Sequence, residues 1–454
     1  MSSDNWNNLP KDLLIDIVQR LTCLEDYFTS IVVCKSWNSV ALEAVASLAD
    51  SVIAEKPWWL LLRSDTTTPM LLLAEEVAPG SIRYDTEFDL NRDYAYDKDG
   101  FYIDDEDHDK DTIWGYDYLK NSVGSSRGLY SLSSMKTYNI ELPEAAGKLI
   151  LGTSKGWLLT LGRDLQINLL HPLLRRQISL PPMNMFTAPT AYLPRAGFTK
   201  EHTSEHFIRK VAMSSELPQK KTDLSSLSHH STRSPIVMVV YHRIGILGFA
   251  RSGDKRWTDV RVCSDGFHDI VYHKGKFYAV DFQGNIYLCC IDVDEKREWP
   301  RATKIASIKT NNNQQKYLAE PLSGSGLLLV VRYDRDKLVK RDRVRASKYR
   351  TTNFEVWRLE LEYCNSLRIP SCTLTPVNNL GNEAIFIGRA SSLCVPSSDI
   401  IKPNSIYFTD DHHQVFIRLG GGHDMGIFDI EHRTIEPHYQ GKSIHCISPP
   451  LWYI

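Results

Sequence analysis

The first apolar pattern in the chain is helical. Within "LPKDLLIDIVQRL" (Leu9–Leu21) the apolar residues fall at Leu13, Leu14, Ile17, Val18 and Leu21. That three-and-four spacing places side chains on one face of a helix. Pro10 suits the first turn, where its missing N–H costs nothing, and Asp12 lies where the helix dipole favours an acid. Apolar runs continue at Tyr27–Val33 and Cys34–Leu48, and neither Pro nor Gly occurs between Lys11 and Glu55. Residues 1–50 are therefore expected to form a small all-α module of three helices, with Pro57 marking its exit.

Beyond Pro57 the pattern becomes that of strands. Short runs rich in Val, Ile, Tyr, Phe and Trp alternate with Gly, Asp, Asn and Ser turns, as in "SPIVMVVY" (Ser234–Tyr241), "IGILGFA" (Ile244–Ala250), "KGKFYAVDFQGNIYLCCID" (Lys274–Asp292), "GLLLVVRY" (Gly326–Tyr333) and "NFEVWRLEL" (Asn353–Leu361). These read as many strands joined by hairpin turns, and "DFQGN" sits where a reverse turn belongs. A loose repeat of turn and aromatic strand recurs at intervals near the length of a β-propeller blade. The expectation is a mainly β protein: the helical module, then a propeller of six or seven blades over residues 57–454. Trp157, Trp257 and Trp357 are expected in the cores of its blades.

Three stretches look inserted. Asp85–Asp111 is acidic, Thr199–Ser234 is rich in Ser, Lys, Glu and His, and Arg332–Arg350 is basic. All three are expected to be solvated loops.

Composition narrows the setting. Of 454 residues, 42% are apolar and 24% charged, with a formal net charge of −2. No global field points to nucleic acid or to an acidic membrane. The nine cysteines show no framework spacing and no C-x-x-C pair, so reduced thiols in the cytoplasm or nucleus are expected. The start "MSSDNWNNLP" does not read as a signal peptide. Runs such as "PWWLLL" fall far short of the ~20 residues that span a bilayer.

Motifs that could carry chemistry are weak. "GSSRG" (Gly124–Gly128) fits the nucleophile elbow, but a strand-like run follows where a helix is required. "GGGHD" (Gly420–Asp424) lacks the Lys-Ser/Thr of a phosphate cradle and reads as a turn. "DDHH" (Asp410–His413) has metal-ligand types, but adjacent residues on a strand end point to opposite faces. A turn with solvated side chains is expected there. The basic loop has few aromatics to interleave with bases, so nucleic-acid binding is disfavoured. No cofactor, metal or catalytic residue is assigned.

The residues Leu9-Pro10, Leu13-Leu14, Ile17, Arg20-Leu21, Val33-Cys34 and Trp37, in the order LP-x2-LL-x2-I-x2-RL then VC-x2-W, resemble an F-box. The stretches "GLYSLSSMKTYNIELPEAAGKLILGTSKGWLLTLGRDLQINLLHPLLRRQISLPP" (Gly128–Pro182), "GDKRWTDV" (Gly253–Val260), "HKGKFYAVDFQGNIY" (His273–Tyr287), "YLAEPLSGSGLLLVVRY" (Tyr317–Tyr333), "LGNEAIFIG" (Leu380–Gly388), "NSIYFTDD" (Asn404–Asp411) and "DMGIFDIE" (Asp424–Glu431) resemble the propeller of plant F-box proteins that carry the domain of unknown function 295. "LLHP" departs from that family, which usually has Asn where this chain has His171.

The resemblance implies a non-catalytic adaptor that docks the Skp subunit of a Skp–cullin–F-box ubiquitin ligase and holds a target protein on its propeller loops. It places Leu9, Pro10, Leu13, Leu14, Ile17, Leu21, Val33, Cys34 and Trp37 in the Skp-binding face and its supporting core, without separating the two. A helical module of roughly 55 residues buries only about 60% of its unfolded surface, so a partner helps to cover such a face. The alternatives are that the stripe merely caps the rest of the chain, that the F-box contact serves a scaffold outside any ligase, and that an enzyme site lies in the propeller channel.

Overall fold

In the computed structural model the described residues are 9–19, 30, 34, 36–37, 39–41, 43, 69–73, 125–162, 164–172, 175–187, 207–214, 235–242, 244–291, 299–311, 314–335, 350–362, 371–411, 422, 424–441, 443 and 450–453. Leu21, Val33 and the acidic insertion Asp85–Asp111 lie outside them, as do most of 199–234 and the centre of 332–350.

Helix α1 (Lys11–Gln19) starts where the sequence places it: the Leu13 and Leu14 amides donate to the Pro10 carbonyl at 3.1 and 3.2 Å. Further helical positions occur at Ser30 and at 36–37, 39–41 and 43.

The described strands make six sheets. Each is a blade, so six is the blade number among the two that the sequence allowed. Blades 2 to 6 follow one another along the chain, with first strands at Leu149–Ser154, Ile208–Met213, Phe267–His273, Gln315–Ala319 and Glu383–Ile387. Blade 1 is built from both ends of the propeller. Its strand Met70–Leu72 pairs on one side with Ser126–Tyr130 and on the other with the C-terminal Leu451–Tyr453, Leu71 facing Trp452. The last strand thereby closes the ring and removes the edge that the first would expose.

Local chemistry explains the hairpins. Asp281 accepts the amides of Gln283 and Asn285 at 2.9 and 2.8 Å, and Gly284 supplies a positive φ, so "DFQGN" turns between two strands. An Asx turn of this kind is encoded by the residues themselves. Apolar strand faces then bury against neighbouring blades. One cluster lies at each junction: blades 1 and 2, 2 and 3, 3 and 4, 4 and 5, 5 and 6, and 6 and 1.

Two expectations are corrected. Asp410 and Asp411 are buried, not solvated, because both are hydrogen-bonded inside the protein. Arg332 does not begin a solvated loop. It lies buried within the strand Leu327–Arg335, held by carboxylates described below. Trp157 and Trp257 are core, as expected, whereas Trp357 is only partly buried at the junction of blades 4 and 5.

Candidate functional site

The helical stripe divides into two rows. Leu14 and Val18 are 1% and 3% exposed and join Trp37, Val40 and Ala41 in one cluster with Met70, Leu72, Ile140 and Leu158 of blades 1 and 2. Leu13 is 51% exposed. Successive residues are offset by about 100° around a helix, which is enough to send Leu14 inward and Leu13 outward. Leu9, Ile17 and Cys34 are partly buried at the edge of the cluster, and Pro10 is exposed. Of the nine residues assigned to the docking face and its support, the structure thus separates Leu14 and Trp37 as core from Pro10 and Leu13 as surface. Leu9, Ile17 and Cys34 lie between. Lys11 and Glu43 pair at 2.6 Å, both about half exposed, so the pair orients the helical segments more than it stabilises them.

The ring's axis is occupied by the protein itself. After Glu383–Ile387 the chain crosses the channel through residues 388–392, the turn of a hairpin whose return strand Leu393–Pro396 pairs antiparallel with Glu383–Ile387 in blade 6. Gly388 offers its carbonyl to the Lys210 ammonium of blade 3. The Ser391 amide donates to the Thr153 carbonyl of blade 2 at 3.0 Å, and its hydroxyl to the Val211 carbonyl of blade 3 at 2.8 Å. The Ser392 hydroxyl reaches Asp269 of blade 4 at 3.3 Å. Arg389 and Ala390 are fully buried. Gly388 has φ +152°, and a side chain there would run into Thr409, so the turn out of Glu383–Ile387 needs glycine. Because Leu393–Pro396 brings the chain back, Ser405–Phe408 pairs in parallel with Glu383–Ile387 on its other side.

Two groups of charges inside the ring are paired. Lys210 lies 3.5 Å from Asp269, whose pKa burial raises against the pull of Lys210 and the Leu318 and Ile270 amides. Between blades 5 and 6, Arg332 contacts Asp411 at 3.0 Å and Asp424 at 2.9 Å, and donates to the Thr409 carbonyl at 2.9 Å. Asp424 also accepts the Thr351 amide and hydroxyl at 2.8 and 2.7 Å, and Tyr317 donates to Asp411 at 3.0 Å. Burial works against the Arg332 charge, but Tyr317, Asp424 and Asp411 outweigh it and hold its pKa above the ordinary value. This network was not read from the sequence. The one available sign was an arginine directly after the apolar run Leu327–Val331, which does not name its partners.

The weak motifs fall into structural roles. Ser126 opens the strand Ser126–Tyr130, so no helix follows it. Gly422 donates its amide to Asp410 at 2.8 Å and leads into the strand Gly426–Asp429. Among the described residues, no three His, Cys, Asp or Glu side chains converge as a metal site would require. The six cysteines described are not in disulfides.

Comparison with known proteins agrees with this architecture. Residues 129–429, about two thirds of the chain, match the family model described as KIB1-4 beta-propeller. Residues 6–43 match the F-box domain model. Similar proteins from Arabidopsis thaliana include "Putative F-box protein At5g55150", 26% identical over 65% of this chain and 73% of its own length. Another is "Probable F-box protein At1g65740", 23% identical over 60% of this chain and 70% of its own. Among solved structures, the Cps50 (Swd1) beta-propeller domain aligns over 69% of this chain and 80% of its own at 12% identity, with a TM-score of 0.28. That score is too low to support an argument.

Proposed function

The chain belongs to the KIB1-4 beta-propeller family and carries an F-box, and from that premise we propose that it is the substrate-recognition adaptor of a Skp–cullin–F-box ubiquitin ligase. We read the domain of unknown function 295 that the sequence resembles as this same propeller. The F-box docks the Skp adaptor and, through it, a cullin. The propeller loops hold a target protein.

The observation that supports this best is the exposure of Leu13 on a helix whose other apolar row is already buried. A leucine turned to solvent beside a finished core is available to a second polypeptide. With Pro10, and with the edges of Leu9, Ile17 and Cys34, it makes the start of an apolar patch. A standard stable interface buries about 1,600 Å² in total, and apolar area contributes about 25 cal/mol per Å² before ordering costs.

The adaptor performs no bond chemistry. It raises the effective concentration of the target near a ubiquitin-charged enzyme, so that transfer becomes quasi-intramolecular. The self-filled channel favours recognition by loops and mouths over an enzyme site on the axis. No described helix is long and apolar enough to cross a membrane. The reading places the protein in the cytoplasm or nucleus.

The test is a pull-down. Leu13→Asp with Ile17→Asp is expected to abolish capture of the Skp adaptor while circular dichroism still reports the β-rich propeller. Undiminished capture sinks the assignment. Co-purification of a cullin with the wild type separates a ligase subunit from a scaffold that uses the same contact.

A further inference from the structure

The mouth of the ring where the inner strands begin carries an arrangement that the docking face and the self-filled channel leave unexplained. Blades 3 and 4 each start their inner strand with a β-bulge. Pairing skips from Ile208 to Lys210 in one and from Phe267 to Asp269 in the other, so Arg209 and His268 are the extra residues. A bulge re-aims the side chain that it inserts. Both of these turn toward one ring. The Arg209 guanidinium lies 5.5 Å from the centroid of Phe282, and the His268 imidazole 4.6 Å from it.

Among the described residues, neither group finds a hydrogen-bond partner for these atoms. Arg209 makes no hydrogen bond or ion pair to the described residues, and its contact is the Phe282 face. His268 is 7% exposed, and its buried Nδ1 has no partner among the described residues. Buried polar atoms are normally satisfied, so an orphan beside a spare guanidinium points to an absent ligand. The surroundings are cationic. Lys316 donates to the carbonyls of Phe282, Asn311 and Gln314 at 2.7, 3.0 and 2.7 Å; burial lowers its pKa to about 8, against the opposing charge of Asp281.

The nearby carboxylates are committed elsewhere. Asp269 takes the Leu318 and Ile270 amides and faces Lys210. Asp281 holds the "DFQGN" turn and accepts from Tyr287 at 3.1 Å. Asp411, whose charge reaches Arg209, is paired with Arg332. Burial, with Lys316, Arg209 and Lys210 around it, keeps His268 neutral well below the ordinary imidazole value. A neutral imidazole that carries its proton on Nδ1 is still a donor.

We propose that Arg209, His268 and Phe282 form a receptor for an anionic side chain, a phosphate or carboxylate presented by a bound protein, at this mouth of the propeller. Arg209 supplies the fork that matches either group, His268 adds one donor, and the Phe282 ring holds the guanidinium in place. The inference rests on the propeller being the receptor end of the molecule.

The full chain, co-purified with the Skp adaptor and labelled with 13C in its histidine rings, is titrated with inorganic phosphate at constant ionic strength. A His268→Gln variant identifies the resonance. Two peptides of the same glycine-flanked sequence, one with phosphoserine and one with glutamate, form the other arms. The expected result is a saturable shift of the His268 signal by phosphate in the millimolar range, at least one peptide binding more tightly, and about tenfold weaker binding in Arg209→Gln. No saturable shift in the wild type, or an equal response in Arg209→Gln, overturns the site. Response to free phosphate with none to either peptide overturns its assignment to a protein ligand. Retention of the Skp adaptor is scored in the same samples, so failure here leaves the ligase reading standing, and loss of that adaptor from the wild type counts only against the ligase reading.

Discussion

Leu13 and Leu14 are neighbours in the chain and face opposite environments: Leu14 seals against blades 1 and 2, whereas Leu13 stands half exposed. Their truncations should therefore separate folding from docking. Leu14→Ala is expected to lower stability by about 2–5 kcal/mol, the range for a buried leucine. Leu13→Ala should stay within about 0.5 kcal/mol of the wild type and weaken Skp capture instead. Urea unfolding of the two variants beside a quantitative pull-down checks both halves. Equal loss of stability in the two would mean that the rows are not distinct.

Ring closure should be concentrated in Trp452. It is fully buried, donates its indole N–H to the Ile387 carbonyl at 3.0 Å, and packs edge-on to Phe386 at 4.9 Å. Its own carbonyl accepts the Thr153 hydroxyl at 2.6 Å, so it touches blades 2 and 6 from blade 1. Trp452→Ala is expected to cost about 3–5 kcal/mol. Trp452→Phe keeps most packing and removes one of two donors to the Ile387 carbonyl, which retains the Thr409 amide at 3.1 Å, for about 0.5–1.5 kcal/mol. Denaturant titration followed by circular dichroism ranks the two, and an alanine variant as stable as the phenylalanine one would contradict this role.

The Arg332 network predicts an asymmetry. Arg332→Met leaves Asp411 and Asp424 buried without their counter-ion, and loss of one partner from such a network costs about 3–5 kcal/mol. Adding Asp411→Asn and Asp424→Asn removes the uncompensated charge and should recover part of that loss. Unfolding midpoints of the single and triple variants measure it, and a triple variant weaker than the single would refute the electrostatic account.

Acid should loosen the seam between blades 6 and 1 through His438. This imidazole is buried, its Nε2 is 3.0 Å from the Phe408 carbonyl, and its Nδ1 has no partner among the described residues, so a second proton would sit on an unsatisfied site. Burial pushes its pKa down from 6.5 to about 4, against the smaller opposing effect of the Phe408 carbonyl. The unfolded chain then binds the proton first as pH falls. The His438 contribution is complete above pH 6.5 and is lost on acidification toward about pH 4. It is on the order of 3 kcal/mol. His171, edge-on to Trp157 and lowered to about 3 by burial and Arg176, acts in the same direction. The unfolding midpoint should fall between pH 6.5 and 4 and fall less in His438→Leu, once corrected for the variant's stability at neutral pH. A flat profile over that interval would remove His438 from this role.

Much of the fold was legible in the sequence because it is encoded locally. The helix at Lys11–Gln19 follows from its periodicity and from Pro10. The Asp281–Asn285 turn follows from an Asp, a Gly and their own backbone amides. Strand alternation likewise requires only near neighbours, so the mainly β class and the propeller were within reach.

What lay beyond the sequence depends on residues far apart in it. Six blades rather than seven, and closure by Leu451–Tyr453 against Met70–Leu72, are set by how strands pair around a ring. The crossing of the channel by residues 388–392 and the burial of Asp410, Asp411 and Arg332 arise from contacts between blades. Periodicity marks which residues are apolar and roughly which way they point. Whether Leu13 or Leu14 meets water, and whether Arg209 meets a carboxylate or none, is decided only when distant strands bring their side chains to the same place.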